Sequence, residues 1–297
     1  MKKLIAMALI LSFLCLLGSC GNKEGDYKLS VGTVLSEDIE GLGVTGTSAA
    51  LVTDREGKVI LCRLDCADMK ATVTDGRVTG SAVEKTKYEL GESYGMKEGG
   101  GAIAEWYQQA TYFESFIKGK TIVEIEGIKT KDTELSSGCT IDVTDFVRAV
   151  SAAIRSDKKV SFSADGELSA GVSIICSSTE KNGNAEFLYD TAAAVISGGK
   201  IAAAFIDSAE ATVTVKDGKG AEFIYSGTKN ELGSDYGMVE KGGAIAEWYE
   251  QAANYAKSAV GKSTDSLSGL PTENVSGCTI NADPLKAALV RAAKNVR

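Results

Sequence analysis

A Ser-Gly-Cys-Thr block occurs twice in the chain, and its residue types suit the binding of a phosphate or the formation of an ester with one. A small Ser-Gly turn brings backbone N–H groups close to an approaching anion, and a helix that begins a few residues later adds the positive end of its dipole. The threonine hydroxyl is then placed to bind the phosphate or to be esterified to it. Alternatively, Ser-Gly only turns the chain between a loop and a helix, and the block alone does not decide between the two. The residues concerned are Ser137, Gly138 and Thr140 in the first copy and Ser276, Gly277 and Thr279 in the second.

The composition excludes several other kinds of site. The chain contains no histidine, which removes Ser-His-Asp and Cys-His catalysis and the usual zinc sites, so no metal site is expected. The net charge is −8, and because no stretch is basic, nucleic acid is not expected as a partner. A hydrolase is not indicated either, because no nucleophile is paired with a base.

The cysteines do not suggest a disulfide framework. Five of them follow Cys20, an odd number, and the two halves of the chain share a cysteine only in the Ser-Gly-Cys-Thr block. Cys62 and Cys66 alternate with charged residues, which predicts that both lie on the buried face of a strand. Cys139 and Cys278 are either redox-active, because a helix N-terminus lowers the pKa of a thiol, or fill the space of an alanine.

A longer stretch of the chain is also duplicated. Residues 86–110 and 228–252 align without a gap, 142 residues apart, and together contain both tryptophans of the protein. The sequence therefore predicts two tandem homologous domains at 29–155 and 156–297, with a polar junction near 155–166. Each domain would carry one Ser-Gly-Cys-Thr block.

The duplicated stretch combines an aromatic helix with a glycine-rich loop. Trp106 or Tyr94 could stack on a flat ligand, with Glu105 and Glu247 at the edge of its pocket. The same spacing is also typical of a core stripe, in which a large aromatic side chain fills much volume. The loop glycines indicate unusual backbone angles or a close approach to another group. They include Gly95, Gly100, Gly237 and Gly243.

The elements that position these residues are strands followed by helices in each half. Hairpins are predicted where turn residues separate alternating segments, as at the Asp-Gly pairs 75–76 and 217–218. Apolar residues at helical spacing, starting from Ile103 or its counterpart Ile245, predict the next helix. A second helix with Thr144 or Asp283 as N-cap follows each block. This order predicts an α+β fold, in which each half is an antiparallel sheet covered by helices.

The order of elements and the block together resemble the FMN-binding domain of the peripheral subunits of sodium-pumping quinone reductases and Rnf complexes, and of flavin-carrying surface lipoproteins. In that family a flavin transferase modifies the motif Asp-x-x-Ser/Thr-Gly-Ala-Thr and joins FMN through its phosphate to the last threonine. The resemblance implies FMN on Thr140 and Thr279. It also implies that the residues shaping the turn are Ser137, Gly138, Ser276 and Gly277.

Both copies depart from that motif at the same three places. Glutamate (Glu134, Glu273) stands in place of aspartate, cysteine in place of alanine, and isoleucine in place of a small hydroxyl residue. An unused motif would have drifted differently in the two copies. The shared changes therefore indicate that both sites serve one altered purpose.

The first residues predict a location for the protein. A short positive region precedes an apolar run at 4–17, which is too short to span a bilayer, and residues 17–20 resemble a bacterial lipobox. We expect a signal peptide at 1–19, lipid on the thiol of Cys20 and a polar tether at 20–28. The alternative is an ordinary signal peptide cut nearby, with Cys20 incidental.

Taken together, these features predict a membrane-anchored FMN-binding lipoprotein on the extracytoplasmic face of the cell membrane. It would act in electron transfer, with a possible electron donor in the membrane. The alternative is a surface binding or interaction lipoprotein that kept the fold and lost the flavin. The shared departures from the motif favour this alternative.

Overall fold

The computed structural model describes residues 25–297, which form two antiparallel sheets and a set of helices. The strands are β1 (Tyr27–Asp38), β2 (Gly43–Thr53), β3 (Val59–Lys70), β4 (Thr72–Thr74), β5 (Arg77–Thr79), β6 (Ala82–Val83), β7 (Val160–Phe162), β8 (Ser169–Lys181), β9 (Asn184–Ser197), β10 (Lys200–Lys216) and β11 (Lys219–Thr228). The helices are α1 (Lys87–Leu90), α2 (Met96–Gly100), α3 (Trp106–Phe116), α4 (Ile122–Glu126), α5 (Thr144–Arg155), α6 (Lys229–Leu232), α7 (Trp248–Lys257) and α8 (Asp283–Lys294).

Antiparallel pairing organises the strands into two main sheets and one small hairpin. The first sheet has the order β3-β2-β1-β7, the second has the order β11-β10-β9-β8-β6, and β4 pairs only with β5. The hairpin turns use the Asp-Gly pairs, since Asp75 and Asp217 both adopt a positive φ of 52°. The predicted α+β class is confirmed.

The two sheets pack face to face, and the helices cover their outer faces. Side chains of β2 alternate, because Ala49 and Leu51 pack against α3 and α5 whereas Ala50 and Val52 pack against the second sheet. The second sheet repeats this alternation, with α7 and α8 on its outer face. The described chain is therefore built in four layers, helices-sheet-sheet-helices, and the two Ser-Gly-Cys-Thr blocks lie in the outer layers.

Each half contributes segments to the other half. β6 of the first half pairs with β8, and β7, which lies beyond residue 155, pairs with β1. Near the end of α8, Arg291 and Asn295 donate hydrogen bonds to Glu89 of the first half, Arg291 Nε at 2.7 Å and Asn295 Nδ2 at 2.9 Å. The two halves share one core, and their description as two tandem homologous domains stays a prediction.

The helix of the duplicated stretch begins later than the sequence predicted. α3 and α7 begin at Trp106 and Trp248, because a glutamate caps each helix at the preceding residue. Ile103 and Ile245 therefore precede the helices and are 54% and 68% exposed. The prediction that they lie on a buried helical stripe is wrong.

Three further observations concern where predicted segments begin and end. Thr144 and Asp283 are the first residues of α5 and α8 rather than their N-caps, a difference of one residue. β1 already includes Tyr27 and Lys28, which the prediction placed in the tether. The predicted signal peptide at 1–19 and the predicted lipid site, Cys20, lie outside the described residues.

Within residues 25–297, no helix is long and apolar enough to cross a membrane. In the same range, no cluster of three or more His, Cys, Asp or Glu side chains could hold a metal ion.

Candidate functional site

Both Ser-Gly-Cys-Thr blocks form surface loops that end just before a long helix. In the first half, a 3₁₀ turn at Leu135–Ser137 leads into the block, and α5 follows it. Thr140 is exposed, whereas Cys139 beneath it is fully buried. Thr279 and Cys278 repeat this arrangement in the second half. The structure thus presents the threonine of each block to solvent.

A glutamine on the preceding helix holds the threonine of the first half. Gln109 of α3 is completely buried, and its Oε1 accepts hydrogen bonds from the backbone N–H of Thr140 at 2.8 Å and of Ile141 at 3.3 Å. The Thr140 hydroxyl also donates to this oxygen, at 3.2 Å. Gln109 Nε2 donates to the carbonyl oxygen of Ala104 at 2.8 Å. All the polar atoms of this buried amide are therefore engaged.

We call this arrangement, in which a buried glutamine is hydrogen-bonded to the threonine of the block, the clamp. The second half repeats the clamp at the equivalent residues. Gln251 of α7 is also completely buried. Its Oε1 accepts from the Thr279 N–H at 2.7 Å, from the Thr279 hydroxyl at 3.0 Å and from the Ile280 N–H at 3.2 Å. Its Nε2 donates to the carbonyl oxygen of Ala246 at 2.8 Å. The two threonines consequently make the same hydrogen bonds to a buried glutamine.

The clamp sets the chemistry available to each threonine hydroxyl. Because the hydroxyl of Thr140 or Thr279 donates its hydrogen to a buried amide oxygen, the lone pairs of its own oxygen are left for other partners. Both side chains are exposed, so that oxygen is accessible from solvent. Each hydroxyl can accept a hydrogen bond or form an ester bond there. An amide oxygen is not a base at neutral pH, so a base from elsewhere must take the hydroxyl proton when an ester forms.

The backbone N–H groups of the first block are not free to bind an anion. Those of Gly138 and Cys139 donate to the carbonyl oxygen of Leu135, at 3.2 and 2.9 Å, and the next two donate to Gln109. At the start of α5, the Thr144 N–H donates to Asp142 Oδ1 at 2.8 Å. The amide cradle expected from the Ser-Gly turn is therefore not formed.

Charge at the start of α5 also disfavours a phosphate there. Hydrogen bonds from Thr144 and Thr130 lower the pKa of Asp142, so this carboxyl is ionised at neutral pH and neutralises the helix N-terminus. At the corresponding place in the second half, Asn281 Oδ1 accepts from the Asp283 N–H at 3.1 Å. A neutral amide thus replaces the carboxylate in the second half.

The turn residues are held differently in the two halves. Tyr112 of α3 makes a 2.7 Å hydrogen bond with the Ser137 hydroxyl, and its ring packs so closely that a Cβ on Gly138 would lie 2.2 Å from it. In the second half, Gly277 has a φ of +72°, and its carbonyl oxygen accepts from Asn254 at 3.1 Å. Ser276 is exposed. Glycine is thus required for close packing at one turn and for its backbone angle at the other.

A shallow depression of about 530 Å³ adjoins Thr279. Its lining comes from the block and from the loop before it. The lining residues are Thr272, Glu273, Asn274, Val275, Cys278, Thr279, Ile280, Asn281 and Asp283. The exposed threonine therefore lies beside a concave surface rather than on a flat one.

The buried thiols next to Thr140 and Thr279 are not activated. Burial raises the pKa of Cys139 to about 11 and also raises that of Cys278. Both thiols are therefore protonated at neutral pH, which opposes a redox role. Cys62 and Cys66 are buried in β3, as the sequence predicted.

The rest of the duplicated stretch anchors a loop and fills the core. Trp106 and Trp248 are only 5% and 6% exposed, so the core interpretation of the tryptophans is confirmed. Glu105 does not lie at a pocket edge but accepts hydrogen bonds from the backbone N–H groups of Met96 and Lys97, at 2.9 and 3.0 Å. Glu247 anchors the second loop in the same way, at 2.9 and 3.1 Å.

Glycines at the ends of these loops adopt the left-handed backbone that the anchoring needs. Gly95 and Gly237 have φ values of 78° and 80°, and Gly101 and Gly243 have values of 64° and 63°. Gly100, which the sequence singled out, instead ends α2. The duplicated stretch therefore serves to fix the loop and to present the clamping glutamine.

Sequence reasoning overlooked the two glutamines, although a signal for them was present. Gln109 lies three residues after Trp106 and four before Phe113, so it falls on the apolar stripe of α3. A polar residue on a buried stripe requires a partner across the interface. Gln251 occupies the same place in the second half, so the pairing could have been inferred for both.

Part of the chain is similar in sequence to a known reductase. No family model matches the chain, and no solved structure matches it. The chlorophenol reductase of Desulfitobacterium hafniense is 30% identical over 108 residues, which cover 32% of this chain and 32% of that protein. The chain therefore spans about a third of the length of the curated relative it matches. A match of this extent does not show a family.

Proposed function

We propose that this chain is a membrane-anchored, extracytoplasmic lipoprotein that carries FMN on Thr140 and Thr279 and takes part in electron transfer. The observation that carries the proposal is the pair of identical clamps, in which a fully buried glutamine orients an exposed threonine hydroxyl. Two sites with the same geometry are expected if both threonines receive the same group.

The residues around each threonine fit a phosphoester better than a free phosphate. The hydroxyl oxygen is accessible, whereas the backbone N–H groups of the first block are engaged with protein atoms. An attached group would therefore be held by the covalent bond and not by an anion cradle. FMN supplies transfer of one or two electrons, and the chain supplies two fixed points of attachment.

The location and the domain organisation belong to the same proposal. Lipid on Cys20 would hold the protein at the membrane surface, where a membrane donor could supply electrons. The halves at 29–155 and 156–297 would be homologous copies of one unit, as the matching order of their elements supports. The relative named above is a reductase, and a role in electron transfer is in keeping with that.

The visible spectrum of the protein purified from its own host tests this function. We expect a yellow protein with flavin absorption that survives denaturation and gel filtration. Thr140→Val and Thr279→Val should each remove one of two flavins, and the double variant should be colourless. A folded wild-type protein without colour would contradict the proposal.

A second function is favoured by a specific observation. The engaged amides and the carboxylate of Asp142 leave no anion site at the first block, and both blocks depart from the flavin motif. The protein would then be a surface binding or interaction lipoprotein without flavin. Unmodified threonine peptides together with no flavin uptake would support this alternative.

A further inference from the structure

A pocket lies on the flank of α7 in the second half, between that helix, β10 and the segment that joins the halves. We call it the flank pocket, and its volume is about 470 Å³, within the range typical of small-molecule sites. It is lined by Asp157, Lys158, Lys159, Val160, Ala204, Phe205, Ile206, Asn230, Tyr249, Glu250, Ala253, Asn254 and Ala256.

The equivalent place in the first half is filled by Arg297. Its guanidinium donates to Glu114 Oε1 at 2.6 Å and to the carbonyl oxygen of Leu64 at 3.1 Å. It also stacks on the ring of Tyr88, 3.5 Å from the centroid. Arg63 closes the arrangement, with its Nε donating to the Arg297 carbonyl oxygen at 3.0 Å. Charged and aromatic groups thus hold a planar cation at this place in the first half.

The second half lacks each of the side chains that surround that cation. Counting 142 residues along the chain, Ala256 replaces Glu114, Phe205 replaces Arg63 and Asn230 replaces Tyr88. The floor of the flank pocket is consequently mostly apolar, with the Asn230 amide bonded to the Ile206 carbonyl oxygen, and none of Ala256, Phe205 and Asn230 supplies a carboxylate. A cation would lose its hydration there without gaining a partner, so the floor favours the uncharged part of a ligand.

A cation instead lies at the mouth of the flank pocket. Lys158 follows α5 by three residues, as Arg297 follows α8. Its Nζ lies 4.7 Å from the centroid of the Tyr249 ring and 2.6 Å from Asp157. The Asp157 side chain is 80% exposed, and such exposed ion pairs are weak. An anionic group of a ligand can therefore take the place of Asp157.

The other charged groups at the rim are engaged elsewhere. The Glu250 carboxylate accepts the backbone N–H of Glu247 at 2.9 Å, and the Lys159 ammonium donates to the Ile154 carbonyl oxygen at 2.5 Å. We propose that the flank pocket binds a small aromatic anion, a carboxylate or phenolate, with its ring on the apolar floor and its charge beside Lys158. This site does not include Thr279, so it is independent of the flavin proposal.

Calorimetric titration of the full chain with 1-naphthoate, and with its uncharged counterpart 1-naphthamide, tests the proposal. We expect saturable binding of one naphthoate per chain and clearly weaker binding of the amide. Ala253→Trp should abolish naphthoate binding, because Ala253 lines the flank pocket on the exposed side of α7. The matched control is Thr111→Trp, the equivalent exposed position of α3, which should bind naphthoate as the wild type does.

A second pair of variants tests the charge. Lys158→Met should weaken naphthoate binding about tenfold or more, since a hydrogen bond to a charged group is lost. The same substitution should leave the binding of 1-naphthamide unchanged. Lys257→Met, an exposed lysine outside the pocket, should change neither. The proposal is overturned if naphthoate does not bind saturably, if the amide binds as tightly as naphthoate, or if the two tryptophan variants behave alike.

Discussion

Replacing Gln109 by leucine should destabilise the protein and loosen the loop that contains Thr140. The change removes four hydrogen bonds, three to Oε1 and one from Nε2. The exposed Thr140 hydroxyl can turn to water, so three bonds of about 1 kcal/mol each are lost. Leucine at this buried position recovers part of that by apolar burial. We therefore expect a loss of about 2–3 kcal/mol in the free energy of unfolding.

Urea unfolding and native-state hydrogen exchange measure these two effects. The backbone N–H groups of Thr140 and Ile141 should exchange faster in the Gln109→Leu variant, while those of the second half should not. Gln108→Leu is the control on the same helix, because Gln108 is exposed and accepts a single hydrogen bond, from the Glu105 N–H. A Gln109→Leu variant that matches the Gln108→Leu variant in both measurements would refute the clamp.

Two further predictions concern pH and packing. Burial raises the pKa of both Asp65 and Asp207 to about 7, so each carboxyl binds its proton more tightly in the folded chain than in the unfolded chain. The free energy of unfolding should therefore fall by up to about 4 kcal/mol per group as the pH rises from about 4 to about 8. Glu89 acts in the opposite sense, because hydrogen bonds lower its pKa to about 2, so its contribution to stability is lost as the pH falls below about 4.5. Urea midpoints from pH 3 to 9 should therefore peak near about pH 4, and Asp207→Asn should remove about half of the fall on the alkaline side. A constant midpoint from pH 5 to 8 would contradict the assignment. Gly138→Ala should lower the free energy of unfolding by about 1–3 kcal/mol, because the added Cβ would meet the Tyr112 ring. In a double-mutant cycle, Tyr112→Ala should reduce the cost of Gly138→Ala. Additive effects of the two substitutions would show that the ring is not the obstacle.

Local features of the fold could be predicted from the sequence, whereas the exchange of strands between the halves could not. The Asp-Gly turns and the aromatic helix follow from short-range patterns that both halves share. The route of the chain after β5 includes one approach to β8 that is too close for a side chain. A Cβ on Gly80 would lie 1.9 Å from the Ser178 carbonyl oxygen, so glycine allows the first half to run along β8. The equivalent residue, Glu222, lies in β11 of its own sheet.

The candidate site was predicted only in part, because its contacts between distant residues depend on tertiary packing. The exposure of Thr140 and Thr279 follows from their place in a loop before a helix. The engagement of the loop amides does not, because the partner of those amides lies about thirty residues earlier on a helix whose distance from the loop is set by tertiary packing. The pattern of duplicated residues pointed to the helix but not to its contact with the loop.

Peptide mass spectrometry of the protein purified from its own host tests the central claim most directly. The account predicts that the peptides containing Thr140 and Thr279 each carry the mass of FMN joined through its phosphate, with the loss of one water. Both peptides found only unmodified, in a folded protein whose host is shown to attach flavin to other proteins, would contradict the account.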